Sequence, residues 1–455
     1  MRQSSSASRG LPPGFYSNVG WQYMATVWNG VAAFLYSVVL GRGLGLHDFG
    51  LAALTLSCVN LLFLLCSLRL NEFVIRYVAE FWEQMDLERT AATIRLSLIA
   101  DLCCATVPIL IVGCLARYAE IYLLRDSRAA TVLWLTATSV FFTYLGAATC
   151  SGVLRVFGQF RTYSTILMLA ATLKTSIAAL AVFVLHWDVR GVLALTATAS
   201  AASWTYCLVT TGRILNRQVS LRRLRRGIAL LTPRFGEIRR FLRSTYILSV
   251  SGIPIKELDI NLLGWFVPLE GIAVYKIAKA FMASVWALSD PTSIVVYPEL
   301  ARMCSRGDYL AVRLFVKRLT VLLGACGAVL FVCTFFGVPI AVQALLGPRF
   351  AESGWILRAM VWSCLIWFPL LWVNPLLLAM GRPDVPSRAA LWAAAVITIS
   401  YVISGRVWGT FGVAVVYGFS SPVVLLLVGV FARGLGKTPF SSLDQRLQRT
   451  PETVA

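Results

Sequence analysis

Residues 244–297 read STYILSVSGIPIKELDINLLGWFVPLEGIAVYKIAKAFMASVWALSDPTSIVVY. The stretch is apolar enough to lie in a membrane, yet it carries Lys256, Glu257 and Asp259 in its first half and Lys276, Lys279 and Asp290 in its second. The turn Phe266-Val267-Pro268-Leu269-Glu270-Gly271 divides it into two runs, each long enough to cross a bilayer, for which roughly 20 residues suffice. It therefore predicts a helical hairpin, Ser244 to Phe266 and Gly271 to Tyr297, with charges inside the lipid. A charge near the bilayer centre costs about 2.5 to 3.5 kcal/mol on insertion scales, so such side chains usually face a partner or a water-filled cavity.

Composition sets the class. The chain has 455 residues, of which 58% are hydrophobic and 14% charged, and its mean hydropathy is +0.75. A soluble protein of this length needs a more polar surface, so the expectation is an all-α polytopic membrane protein. Outer-membrane barrels show alternating segments of about ten residues, whereas runs such as Leu51 to Leu65 and Ala129 to Leu145 are long and continuous. Two histidines, no Cys-x-x-Cys pair, and cysteines set mostly among Leu, Ala and Val argue for no metal or cofactor. The polar N-terminus ahead of a full-length apolar run argues against a cleavable signal peptide.

Twelve apolar runs are long enough to span. The first six are Ser17 to Leu40, Gly50 to Leu70, Ile94 to Ala116, Ala129 to Leu154, Ser164 to His186 and Gly191 to Thr211. The second six are the two runs of the opening stretch, then Leu310 to Val338, Ser353 to Met380, Ala389 to Ser404 and Phe411 to Phe431. With the N-terminus cytoplasmic, 29 Lys and Arg fall inside and 7 outside, which predicts both termini in the cytoplasm. The net charge of +20 is thus mostly a topological signal, and no nucleic-acid partner is expected.

The chain divides at its most basic segment. Residues 213–243 hold ten arginines and one acid, Glu237, and read either as a topogenic cytoplasmic loop or as a contact for anionic lipids or an acidic partner. The expected units are therefore an N-terminal six-helix lobe (1–212), a basic linker (213–243), a C-terminal six-helix lobe (244–432) and a cytoplasmic tail (433–455). Within the first lobe, Phe73, Tyr77 and Phe81 recur every four residues, which predicts an amphipathic helix lying along the interface. A weak repeat crosses the linker. Leu40-Gly41, Asp48 and Gly50-Leu51-Ala52 are echoed by Leu263-Gly264, Glu270 and Gly271-Ile272-Ala273, as in two bundles related by an axis along the membrane normal.

The run Val39-Leu40-Gly41-Arg42-Gly43-Leu44-Gly45-Leu46-His47-Asp48-Phe49-Gly50-Leu51-Ala52-Ala53-Leu54 resembles the polysaccharide-biosynthesis flippases. These form the O-antigen and lipid-linked oligosaccharide branch of the multidrug, oligosaccharidyl-lipid and polysaccharide exporter superfamily. Leu262-Leu263-Gly264-Trp265-Phe266, Gly271 to Ala278, and Tyr297-Pro298-Glu299-Leu300 followed by Gly307-Asp308 carry the same likeness in the second half. The resemblance implies two six-helix lobes around a central cleft that opens alternately to each face. It also implies transport of an undecaprenyl-diphosphate-linked sugar between leaflets of the bacterial inner membrane, alongside glycosyltransferases and a polysaccharide polymerase. The superfamily's lipid II flippases typically carry two further C-terminal spans, so their branch is not the one expected.

A diphosphate headgroup entering a cleft must lose bulk water, and fixed cations offset that cost. The in-span cations are Lys174, Lys256, Lys276, Lys279 and Arg358, and these are the candidate substrate contacts. Lys174 and Lys256 lie ten and twelve residues into their spans, near mid-membrane at about 1.5 Å per residue. Lys276, Lys279 and Arg358 lie nearer the outer ends, where snorkelling anchors are the alternative. Lys256 and Asp259 are three apart and can pair, whereas Lys276 and Lys279 have no acid within four residues on their own helix. Lys174 has Asp101 as a possible structural partner. Gly252 and Pro254 predict a bend just before Lys256, and Asp290-Pro291 another near the cytoplasmic end of the eighth span. The in-span acids Asp101, Glu257, Asp259 and Asp290 are the candidates for coupling to a proton or sodium ion, Asp259 first.

Two other functions compete. A multidrug or organic-cation exporter of the same superfamily calls for an acid-dominated cleft, but five cations meet four acids here. A membrane glycan polymerase or glycosyltransferase calls for a large hydrophilic loop with paired carboxylates, and residues 213–243 contain one acid.

Overall fold

The computed structural model describes residues 15–124, 126–219, 228–380, 382 and 384–433. Among these every regular element is helical, as lipid demands of a chain whose backbone groups must be satisfied internally. The first half comprises α1 (Phe15–Cys66), α2 (Leu70–Glu83), α3 (Leu87–Ala119), α4 (Ala129–Tyr144), α5 (Ala147–Val156), α6 (Phe160–Phe183) and α7 (Val189–Gln218). The second comprises α8 (Phe235–Ser251), α9 (Asp259–Phe266), α10 (Leu269–Ala287), α11 (Asp290–Ser305), α12 (Tyr309–Val332), α13 (Val338–Leu346), α14 (Glu352–Met360), α15 (Trp362–Trp367), α16 (Val373–Ala379) and α17 (Asp384–Arg433).

Eight helical stretches among the described residues are long and apolar enough to cross a membrane, against the twelve expected. Part of the difference is that α1 and α17 each join two expected spans through a break, at Gly45 (φ 78°) and Gly409 (φ 57°). Positive φ is the conformation glycine adopts most readily, and at Gly45 it turns α1 back on itself. The opening hairpin is not among the eight. Its turn falls as expected, between Phe266 and Leu269. Its first arm, however, begins at Phe235 and is interrupted by a π-helical turn, Pro254–Leu258. Its second arm stops at Ala287, and the bend before Pro291 begins α11 at Asp290.

The two halves pack along this hairpin. The first arm of α1 lies along α10, with Phe34 edge-on to Phe281 at 5.6 Å and Ser284 Oγ donating to the Gly30 carbonyl at 2.9 Å. Near the turn, α1 passes so close to α10 that a Cβ at Gly50 would run into the Leu269 carbonyl. The second arm meets the π-helical turn, where Ser57 Oγ donates to the carbonyl of Glu257 at 3.0 Å. The largest buried cluster is continuous across both halves, from Leu51 and Val189 to Ile272, Met360 and Tyr401.

Two expected surface features are packed instead. Phe73, Tyr77 and Phe81 of α2 are fully buried, sharing a cluster with Ile94 of α3 and Val153 of α5 rather than facing lipid. Leu231 and Ile238, from the end of the basic linker, belong to that same cluster. Arg234 pairs with Glu80 of α2 and with Glu237, whose carboxyl it holds below its ordinary pKa. Residues 220–227 of the linker lie outside the described residues.

Candidate functional site

The π-helical turn is the point from which the site is built. Pro254 lacks the N–H that an α-helix needs, and the ladder widens over Pro254–Leu258. This leaves the Lys256 carbonyl to accept from Lys279 Nζ at 2.6 Å. The same ammonium donates to Asp259 Oδ1 at 2.7 Å, and Tyr275 Oη donates to Asp259 Oδ2 at 2.7 Å. Asp259 is 0% exposed and Lys279 8%, so this is a buried ion pair with both carboxylate oxygens satisfied, the condition under which such a pair is tolerated. It pins α10 to the turn and aims the side chains of Lys256 and Glu257 away from it.

Both point into a chamber of about 600 Å³ between the halves. Its far wall is the first arm of α1 with α4, α6 and α7, including Tyr36, Phe142, Ile166 and Leu208. Lys174 enters from α6 with its ammonium over the Tyr36 ring at 5.3 Å, and Lys276 enters from α10. None of Lys174, Lys256 and Lys276 forms an ion pair with a described residue. Among the described residues the only acid on the wall is Glu257, which accepts from Ser57 Oγ at 2.8 Å and Asn60 Nδ2 at 3.2 Å across the divide. Thus three cations without an ion-pair partner among the described residues, with the paired Lys279 beside them, face one hydrogen-bonded carboxylate in a largely apolar space, an arrangement suited to an anion with an apolar appendage.

The expected pairings are partly redrawn. Lys256 does not pair with Asp259; Lys279 does, because the turn at Pro254 rotates Lys256 outward and α10 brings Lys279 to the freed carbonyl. Lys279 therefore differs from Lys276, although the two stand three residues apart on α10. Asp101 is not the partner of Lys174, since Thr149 occupies its Oδ2 through N–H and O–H at 2.9 and 2.6 Å. Arg358 is absent from the chamber wall, stacks on Trp355 and Phe335, and donates to the Phe335 carbonyl at 3.2 Å. The side chain of Asp290 lies outside the described residues.

Three features escaped the sequence reading. Ser57 and Asn60 reach Glu257, and their signal was two polar residues three apart in an apolar run. Tyr275, Tyr401 and Tyr417 surround the buried pair from α10 and α17, and nothing in local sequence joins them. At the turn end of the bundle His47 contacts Glu270 at 2.8 Å and Asp126 at 3.1 Å, while Arg128 binds Asp48 at 2.6 Å and Asp126 at 3.0 Å. Arg128 holds the Asp126 carboxyl down at about 2. This network joins α1 and α4 of the first half to α10 of the second.

A family model described as polysaccharide biosynthesis protein matches residues 15–304. No curated protein matches in sequence. Among solved structures, an inward-facing multidrug resistance MATE family transporter of the MOP superfamily superposes with a TM-score of 0.74 at 13% identity, over 92% of this chain and 96% of that one. The lipid II flippase MurJ in an inward closed conformation gives 0.67 at 15% identity, over 93% and 88%. A MOP superfamily transporter from Pyrococcus furiosus, described by the reverse polarity of its binding pocket, gives 0.63 at 11% identity, over 95% of each chain. At such identities the likeness concerns the fold, which is that of the MOP superfamily. Because the family match covers well over half of the 455 residues, the chain belongs to the polysaccharide biosynthesis protein family.

Proposed function

We propose that this protein is an alternating-access flippase, not an enzyme, that moves a polyprenyl-diphosphate-linked oligosaccharide across the bacterial inner membrane for cell-surface polysaccharide synthesis. The observation that carries the reading is the chamber itself, where Lys174, Lys256 and Lys276 converge from both halves beside the paired Lys279, with Glu257 as the one acid among the described residues. The lysines receive the diphosphate, and their fixed charge offsets its dehydration. Lobes 1–212 and 244–432, joined by 213–243, rock about the chamber. Both termini, with the tail 433–455, lie in the cytoplasm, in keeping with the distribution of Lys and Arg.

Glu257 is the best placed of the acids to couple the cycle to an ion, because it faces the chamber and is held by the opposite half. Asp259 is committed to Lys279 and Asp101 to Thr149. The basic linker contacts anionic lipid, and a polymerase and glycosyltransferases are the expected partners in the membrane. A cation-rich chamber opposes the organic-cation exporter.

Reconstitution in vesicles with a labelled polyprenyl-diphosphate sugar tests the reading. Lys276→Ala should slow transfer between leaflets by about tenfold, the usual order for losing one charge-assisted contact. Transfer by the wild type no faster than in protein-free vesicles would overturn it.

A further inference from the structure

A second cavity, of about 480 Å³, adjoins the first at the break between α1 and α2. The two share Thr143, Ala147, Tyr163 and Lys256, so Lys256 stands on the threshold between them. Their walls differ in chemistry. The central chamber is mostly Leu, Ile, Ala and aromatic surface punctuated by lysines. The side cavity presents Ser67 and Arg69 from the break, Asn71 from α2, Asp101 from α3 and Ser249 from α8.

Several of these polar groups have unused capacity. No described residue hydrogen-bonds the side chains of Ser67, Asn71 or Ser249, and Asp101 uses only Oδ2, leaving Oδ1 open. A small amide, two hydroxyls and a carboxylate oxygen facing one space offer both donors and acceptors at short range. With Phe63, Leu68 and Leu70 beside these groups, such a wall matches a ligand that carries many hydroxyl or amide groups around a small apolar face. A diphosphate alone leaves most of it unused: Arg69 and Lys256 can meet its charge, but Asp101 Oδ1 can only accept, and Ser67, Asn71 and Ser249 add further donors and acceptors. A prenyl chain does not match it, since its entry would strand the polar groups unpaired.

We infer that the side cavity is the sugar-binding compartment, that Lys256 on the threshold holds the diphosphate joining sugar to lipid, and that Asn71, Ser249 and Asp101 select the sugar. This rests on the flippase reading above and divides its site into two chemically distinct parts. Ser67, Arg69 and Asn71 lie where α1 ends and α2 begins, so a sugar seated there would bridge two elements of the first half to α8 of the second.

The test uses the full chain in nanodiscs and two probes, undecaprenyl diphosphate and undecaprenyl diphosphate bearing one N-acetylhexosamine. The wild type should bind the sugar-bearing probe about tenfold more tightly, as one or two well-made hydrogen bonds allow. The double variant Asn71→Leu, Ser249→Leu should lose that advantage while binding the bare diphosphate within about twofold of wild type, which also reports that it is folded. Lys276→Ala should weaken both probes by the same factor. Equal affinity of the wild type for the two probes, or equal weakening of both by the double variant, would overturn the division of the site while leaving the flippase reading intact. Failure of the wild type to bind either probe would overturn both.

Discussion

His47 Nδ1 lies 2.8 Å from Glu270 Oε1 and its Nε2 lies 3.1 Å from Asp126 Oδ2, so a single imidazole ties the first half of the chain to the second. A neutral ring has one N–H and can donate to only one of these carboxylates; both bonds require the imidazolium. The surrounding charges are Asp48 and Arg128, which pair with each other, and Arg128 keeps Asp126 ionised down to about pH 2. In the range from pH 5 to 8 the change in this network therefore falls on His47, with the bridge complete when the ring is protonated and halved as pH rises. The expectation is that a cysteine placed on the chamber wall, in a background lacking native thiols, is labelled faster from the His47 side at high pH than at low once its rate is divided by that of a fully exposed cysteine at the same pH, which removes the intrinsic rise of thiolate with pH. His47→Gln should abolish the difference in this normalised rate, and a normalised wild-type rate that does not change with pH would refute the bridge as a clasp.

Lys279 and Asp259 form the buried pair on which the π-helical turn depends. Removing one partner strands the other charge in the core, so Lys279→Met and Asp259→Leu should each destabilise by about 3 to 5 kcal/mol. The double change leaves no unpaired charge and should recover most of that loss, as read by thermal unfolding in detergent. Additive single effects would show that the two side chains do not act as a pair.

The contrast between Lys276 and Lys279 shows what a sequence can and cannot reveal. Charged, helix-breaking and apolar runs marked the hairpin, its turn at Val267-Pro268, the bend at Pro254 and a set of lysines inside the bundle. Spacing along one helix made the two lysines look alike and offered Asp259 to Lys256. Their actual separation comes from register between helices: Lys279 sits 20 residues from Asp259 in sequence yet is bonded to it, while the widened turn carries Lys256 away. Likewise the periodic face of α2 was legible, but its cover by Leu231 and Ile238 of the basic linker is a tertiary fact.

Lys276 and Lys174 have no ion-pair partner among the described residues, so losing either should spare folding and impair transfer. Lys276→Ala and Lys174→Ala should unfold within about 1 kcal/mol of wild type, because no buried partner is orphaned. Glycan export in cells should nonetheless fall, whereas Arg358→Ala, outside the chamber wall, should leave it near normal. Normal export by the two lysine variants at wild-type membrane levels would mean that they serve only packing.

Gly50 offers a test of the motion itself. In the described conformation a Cβ there would overlap the Leu269 carbonyl, a backbone atom that cannot swing aside as a side chain does. Gly50→Ala must therefore push α1 from α10 at the end carrying the His47 bridge, at a cost typical of overpacking, about 1 to 3 kcal/mol. If the halves part at this end during transport, the strain exists only in the closed arrangement, and the substitution shifts the population toward the open one by as much as it raises the closed state. The expected result is faster labelling of chamber cysteines from the His47 side with little loss of melting temperature. Reduced thermal stability without any change in labelling would instead make the contact a fixed joint between the halves.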